Sequence, residues 1–166
     1  YMLERCMEFI DRHGLLKKKE TVVLGVSGGP DSMFLLDMMC RLRDMYKSRL
    51  IAAHFNHRLR DEADAEERFV AEQAAARDCT FVAGGADVKA RYDGDSLEQT
   101  ARKCRYDFFS TVVREYKAKK VFLAHHRDDL AETVLLRIIR GSGLMGLAGM
   151  QPCRRFGKFS LIRPLL

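Results

Sequence analysis

The chain has 166 residues, the size of one ordinary domain, and its 47% apolar content is enough for a core. Charged residues of both signs make up 31%, which excludes a disordered tail, and no apolar stretch approaches the ~20 residues that span a bilayer. The net charge is +6, but all 23 acidic residues precede Thr133 while six of the 29 basic ones follow it. An acid-free basic end (Arg137, Arg140, Arg154, Arg155, Lys158, Arg163) suits an anionic partner, nucleic acid before membrane, or simply a solvated surface.

In chain order, Met2, Leu3, Cys6, Phe9 and Ile10 predict a helix over 2–14 that Gly14 stops. The continuous apolar run at 21–26 predicts a buried parallel strand, followed by a turn at 27–30 and a helix over 31–44. A second strand is expected at 50–55, a charged helix at 61–78, and a weaker strand at 79–83. Ser96, with Gln99 three residues on, opens a helix to about 116 with the pattern of a capping box. A fourth strand is expected at 121–124 and a helix at 127–140, with the Gly-rich remainder irregular. Strand and helix alternate at least four times, so the fold class is α/β: an open, mostly parallel sheet with helices on both faces. Ligands bind such sheets at the carboxyl ends of the strands, where strand order reverses.

The five cysteines, Cys6, Cys40, Cys79, Cys104 and Cys153, contain no CxxC, so spacing encodes neither a zinc knuckle nor a local redox pair. Reduced, mostly buried thiols are expected. A chain that opens on Tyr1 and stops at Leu166 reads as an excised fragment, without a visible signal peptide.

Four segments carry candidate chemistry. Ser27-Gly28-Gly29-Pro30-Asp31-Ser32 joins a strand to a helix: two glycines let backbone approach an anion, the serines add hydroxyls, and the helix start aims N–H groups at it. Asp31 is a candidate magnesium ligand; an ordinary Gly-rich turn with Asp31 as helix cap uses the same residues. In 124–133, Asp128, Asp129 and Glu132 fall at helical spacing and share a face, which suits either a functional cluster or acids that offset a helix dipole. Arg102 and Arg105, three apart, suit a phosphate chain or an exposed basic stripe. The segment 54–60 follows the second strand, where it would line a base pocket, and the glycines at 141, 143, 146 and 149 suit a mobile loop or a tail.

The loop Ser27 to Ser32 resembles the SGGxDS pyrophosphate loop of N-type ATP pyrophosphatases. Within that group, the segments 54–60, 96–106, 125–137 and 140–150 together resemble the tRNA(Ile)-lysidine synthetases, with Leu130 standing where the family usually has Gln. The resemblance implies the adenine nucleotide alpha hydrolase, or PP-loop, fold over 1–150, with 151–166 beginning the connection to C-terminal tRNA-binding domains. It implies ATP on Ser27, Gly28, Gly29, Pro30, Asp31 and Ser32, with Mg2+ on Asp31. Asp31, Arg105, Asp129 and Glu132 would be catalytic, Arg102 and Arg105 would bind phosphate, and Asp129 and Glu132 would bind free L-lysine. The implied reaction adenylates C2 of the wobble cytidine of a tRNA(Ile) with a CAU anticodon and replaces AMP by lysine. A cytoplasmic location follows, with a homodimer left open. A tRNA thiolation enzyme of the same loop class and a non-catalytic nucleotide-binding module are the alternatives.

Overall fold

In the computed structural model, residues 2–58, 61–92, 94, 96–125, 139 and 151–166 are described. The predicted strand at 21–26 forms as β1 (Thr21–Gly25), and its alternation sorts the core into two layers. Val22 and Leu24 face one side and Val23 the other, all three fully buried, as expected of a central parallel strand. Parallel partners lie on both sides: β2 (Arg49–Asn56) with Gly25 opposite Ala53, and β4 (Lys120–Phe122) with Val23 opposite Val121. Beyond β2 lies β3 (Thr80–Gly85).

Helices α1 (Met2–Arg12), α2 (Pro30–Tyr46) and α3 (Ala63–Ala76) cover the face of Val22 and Leu24. Ile10, Leu35, Leu36, Met39, Val70 and Ala74 are buried there. On the Val23 face, α4 (Leu97–Glu115) packs Tyr106, Phe109, Val112 and Val113 against Ile51, Val121 and Leu161. Ser96 caps α4, its Oγ accepting from Gln99 N at 3.1 Å, as the capping pattern predicts. Gly25 permits the close approach of α4: a Cβ there would lie 2.7 Å from Leu123 and 2.9 Å from Phe109.

Residues 151–166 are not irregular. Cys153–Phe156 (β5) and Phe159–Ile162 (β6) form a hairpin, with β6 parallel to β4 and β5 antiparallel at the edge. Its burial is sparse on β5, so the period-two signal of a half-buried strand is weak there, whereas Phe159, Leu161 and Ile162 on β6 are fully buried. The order is β3-β2-β1-β4-β6-β5. Chain direction across the sheet therefore reverses between β1 and β4, which fixes the switch point at the end of β1. The helix predicted at 127–140, which carries Asp128, Asp129 and Glu132, lies outside the described residues apart from Ile139. No helix among the described residues is long and apolar enough to cross a membrane.

Candidate nucleotide site

A cavity of about 570 Å³ opens at that switch point, within the range of small-molecule sites. Its floor is Gly25 and Val26 from the end of β1 and Leu123 to His125 after β4; its walls come from β2, α2, α3 and α4.

The 27–32 loop is organised by one hydroxyl. Ser32 Oγ, only 5% exposed, accepts from Ser27 N at 3.2 Å and Gly28 N at 3.1 Å, and lies 3.2 Å from Ser27 Oγ. It donates to Gly29 O at 3.0 Å. The loop can close this tightly because Gly28 takes φ +97°, a left-handed region that a side chain rarely enters. Gly29, not Asp31, is the N-cap of α2, and no side chain caps it; Pro30 stands at the first helical position and Asp31 in the first turn. A 17-residue helix thus starts at the cavity without a side-chain cap, and its dipole and N–H groups favour an anion at that spot.

Arg105 of α4 lines the same cavity as the loop. Its Nε is buried with no hydrogen-bond partner among the described residues, while its Cζ lies 5.4 Å over the Tyr106 ring. A buried guanidinium N–H without an acceptor is costly, so the site is built for an anionic guest. Arg102 differs from its neighbour: it is exposed, stacks at 5.3 Å on Tyr106, and does not line the cavity.

The wall from β2 carries His54, Phe55, Asn56 and His57, as the 54–60 segment predicts. Buried His54 donates from Nδ1 to Val26 O at 2.8 Å, which ties the strand end to the loop. Asn56, also buried, is held by Asp64 at 2.9 Å and Glu67 at 3.1 Å on α3. Two residues that sequence patterns miss join the site. Glu66 lines the cavity from α3, where it reads as one of many charges on a solvated helix. Arg163, 5% exposed, donates from Nε to His125 Nδ1 at 3.3 Å and so places the ring proton of a neutral His125 on Nε2. Burial pushes the Arg163 guanidinium's pKa down. Its only sequence signal is its place in the basic end of the chain.

Ser27, Gly29, Pro30, Asp31, Ser32 and Arg105 are therefore brought together around one cavity, with Gly28 bracing the loop. Asp129 and Glu132 lie outside the described residues. For a metal, the donor set suits one arrangement. The described residues hold no group of three or more His, Cys, Asp or Glu able to bind an ion by themselves. Asp31 beside the loop fits Mg2+, which is commonly held by one or two carboxylates plus phosphate oxygens.

An open, mostly parallel sheet with a glycine loop and helix start at its switch point is the architecture of an α/β nucleotide-binding domain. Residues 2–166 match the family model of the PP-loop domain, and the chain belongs to that family. It is similar to the tRNA(Ile)-lysidine synthase of Geobacter sulfurreducens, with 42% identity over 99% of this chain and 35% of that protein. Enzymes of the same name from Clostridium tetani and Bacillus subtilis are each 40% identical, over 92% and 96% of this chain and 33% and 34% of theirs. The chain thus spans about a third of the length of these curated relatives. In fold it resembles the U34-tRNA thiolase NcsA of Methanococcus maripaludis, a structure with a [4Fe-4S] cluster: TM-score 0.78, 19% identity, 98% of this chain and 57% of that one. The NH3-dependent NAD synthetase of Campylobacter jejuni follows at TM-score 0.61 and 15% identity, covering 99% and 65%.

Proposed function

We propose that the chain is the ATP-activating domain of an enzyme that ligates lysine to the wobble cytidine of a tRNA(Ile) with a CAU anticodon. The observation that carries the ATP half is the pairing in one cavity of the Ser32-organised loop with the buried, unpartnered Arg105 Nε. The acceptor half rests on the relatives and on the segments 96–106 and 125–137.

The β and γ phosphates sit on the loop and the N-terminus of α2, and the base stacks toward the β2 wall. The C2 oxygen of cytidine attacks the α-phosphate, and pyrophosphate leaves. Arg105, half-buried with its Nε out of water, offsets the charge that grows on the departing oxygens, where a fixed cation is worth most. Asp31 would hold Mg2+, which would supply further charge neutralisation on the phosphates. The neutral ε-amine of lysine then attacks C2 and AMP departs; Asp129 and Glu132 hold one ammonium group of the incoming amino acid, and a carboxylate accepts the proton. Arg102, exposed at the rim, contacts RNA phosphate. The acid-free basic end also favours a nucleic-acid substrate. Further domains of the longer protein grip the tRNA, in the cytoplasm; a homodimer is the open assembly.

A thiolation chemistry would need sulfur at the cavity, and none of the five cysteines lines it. The deciding experiment uses the full-length protein, ATP, and tRNA(Ile) with a CAU anticodon, with lysine added second. Pyrophosphate release that requires the tRNA, followed by labelled lysine in the RNA, is the expected result. Pyrophosphate release without lysine transfer refutes the acceptor assignment, and nucleotide binding with no release refutes the enzyme.

A further inference from the structure

The five cysteines are far apart in sequence, but the fold brings two of them together on the α2 face of the sheet. Two cross-links bracket Cys40. Arg77 Nε donates to Asp37, three residues before it, at 3.3 Å. Arg43, three residues after it, donates to Asp78 O at 2.8 Å and Arg77 O at 3.0 Å. Residues i−3, i and i+3 of a helix share a face, so Cys40 is aimed at residues 77–79. There it faces Cys79 within one core cluster, and the two thiols act on each other's titration. Cys79 is buried and its Sγ also points at Leu50 O, 3.6 Å away, while Cys40 is partly exposed.

We propose that Cys40 and Cys79 are an oxidisable thiol pair in which Cys40 is the attacking sulfur for small hydroperoxides and Cys79 the resolving one. The hydrogen bond from Cys79 lowers the Cys40 pKa to about 7 against the opposing effect of burial, with Arg43 and Arg77 assisting and Asp37 opposing. The same contact, followed by burial, pushes the Cys79 thiol up, so the proton stays on Cys79. Thiolate is the reactive form of cysteine, and the acidic, accessible member of such a pair is attacked first. Cys40 thiolate attacks the O–O bond, giving Cys40 sulfenic acid and an alkoxide or hydroxide that takes a proton from solvent to leave as alcohol or water; sulfur gives up two electrons and the peroxide is reduced. The Cys79 sulfur then displaces the hydroxyl, its proton leaves with that hydroxyl as water, and a Cys40–Cys79 disulfide remains for a thiol reductant to reverse. Neither sulfur lines the nucleotide cavity, so the pair stands apart from the ATP reading.

The test treats full-length protein with limiting hydrogen peroxide at pH 7, alkylates the remaining thiols, and maps peptides without reduction. A 40–79 linked peptide is expected, formed about threefold faster than free cysteine is oxidised at that pH, the larger thiolate fraction of Cys40 being partly offset by its lower nucleophilicity. In Cys79→Ser the linked peptide is absent and a dimedone adduct accumulates on Cys40; in Cys40→Ser both signals vanish. Exposed Cys153 is the internal control. Oxidation of Cys153 with Cys40 and Cys79 still alkylatable overturns the proposal, as does loss of Cys40 without linkage to Cys79. Should a variant not fold, the wild-type map alone decides.

Discussion

Ser32→Ala removes the single group that holds the phosphate loop closed. Its hydroxyl accepts two backbone N–H groups, at 3.2 and 3.1 Å, and donates to Gly29 O at 3.0 Å. Each such bond contributes roughly 1 kcal/mol net, and a buried donor left unpaired costs about 1–3 kcal/mol. Ser27 is exposed, so water replaces part of the loss, and the fold should be weakened by only about 1–2 kcal/mol. Binding should suffer separately. A loop that must be re-ordered around phosphate pays about 1–2 kcal/mol of backbone entropy per residue refixed. A net penalty of about 2 kcal/mol corresponds to roughly thirtyfold weaker ATP binding. Calorimetric titration of the full-length variant with a non-hydrolysable ATP analogue, beside urea unfolding, separates the two effects. Ser27→Ala is the contrast: its Oγ donates to Ser32 Oγ at 3.2 Å and accepts one backbone N–H, from Gly29 at 3.4 Å, so it should lose less affinity than Ser32→Ala. Wild-type affinity in a folded Ser32→Ala protein would refute the view that this hydroxyl preorganises the cradle.

Arg105→Met keeps much of the side-chain length and removes a half-buried charge with an unpartnered Nε, so nucleotide affinity should fall at least about tenfold while unfolding stability holds. Lost stability with unchanged affinity would assign Arg105 to the core. Gly25→Ala forces a methyl against Leu123 and Phe109 and should cost about 1–3 kcal/mol by chemical denaturation, an outcome excluded if the midpoint does not move. Asp31→Ala and Glu132→Ala should each abolish lysine transfer in a folded protein, read by radiolabel; near-wild-type turnover in either removes that residue from the mechanism. Burial, then the hydrogen bond to Asp11, pushes the Tyr46 phenol up to about 12. A folded pKa raised above the ordinary 10 means this contribution is complete below pH 10 and is lost as pH rises through 12. Tyr46→Phe should therefore flatten the fall in stability over that interval, and identical alkaline profiles would count against the contact.

Much of the architecture was legible because helix and strand periods are local. The continuous apolar run through Val22, Val23 and Leu24 and the Ser96–Gln99 cap each depend on residues a few positions apart, and both form as read. The loop at 27–32 was legible for the same reason, its glycines and hydroxyls being consecutive. Strand order was not, because it rests on pairings such as Val23 with Val121 and Val121 with Leu161, which no local period encodes. That order alone puts the switch point beside the loop and sends Arg105 into the cavity while Arg102, three residues away, stays at the surface. It also brings Arg163 to His125 from a strand that local pattern did not reveal, and Cys79 to Cys40 across 39 positions of chain. The sequence by itself determined most of the elements up to β4 and the position of the glycine loop. Which side chains share a cavity was decided by the tertiary structure, because long-range packing and sheet pairing set the direction in which each one is buried.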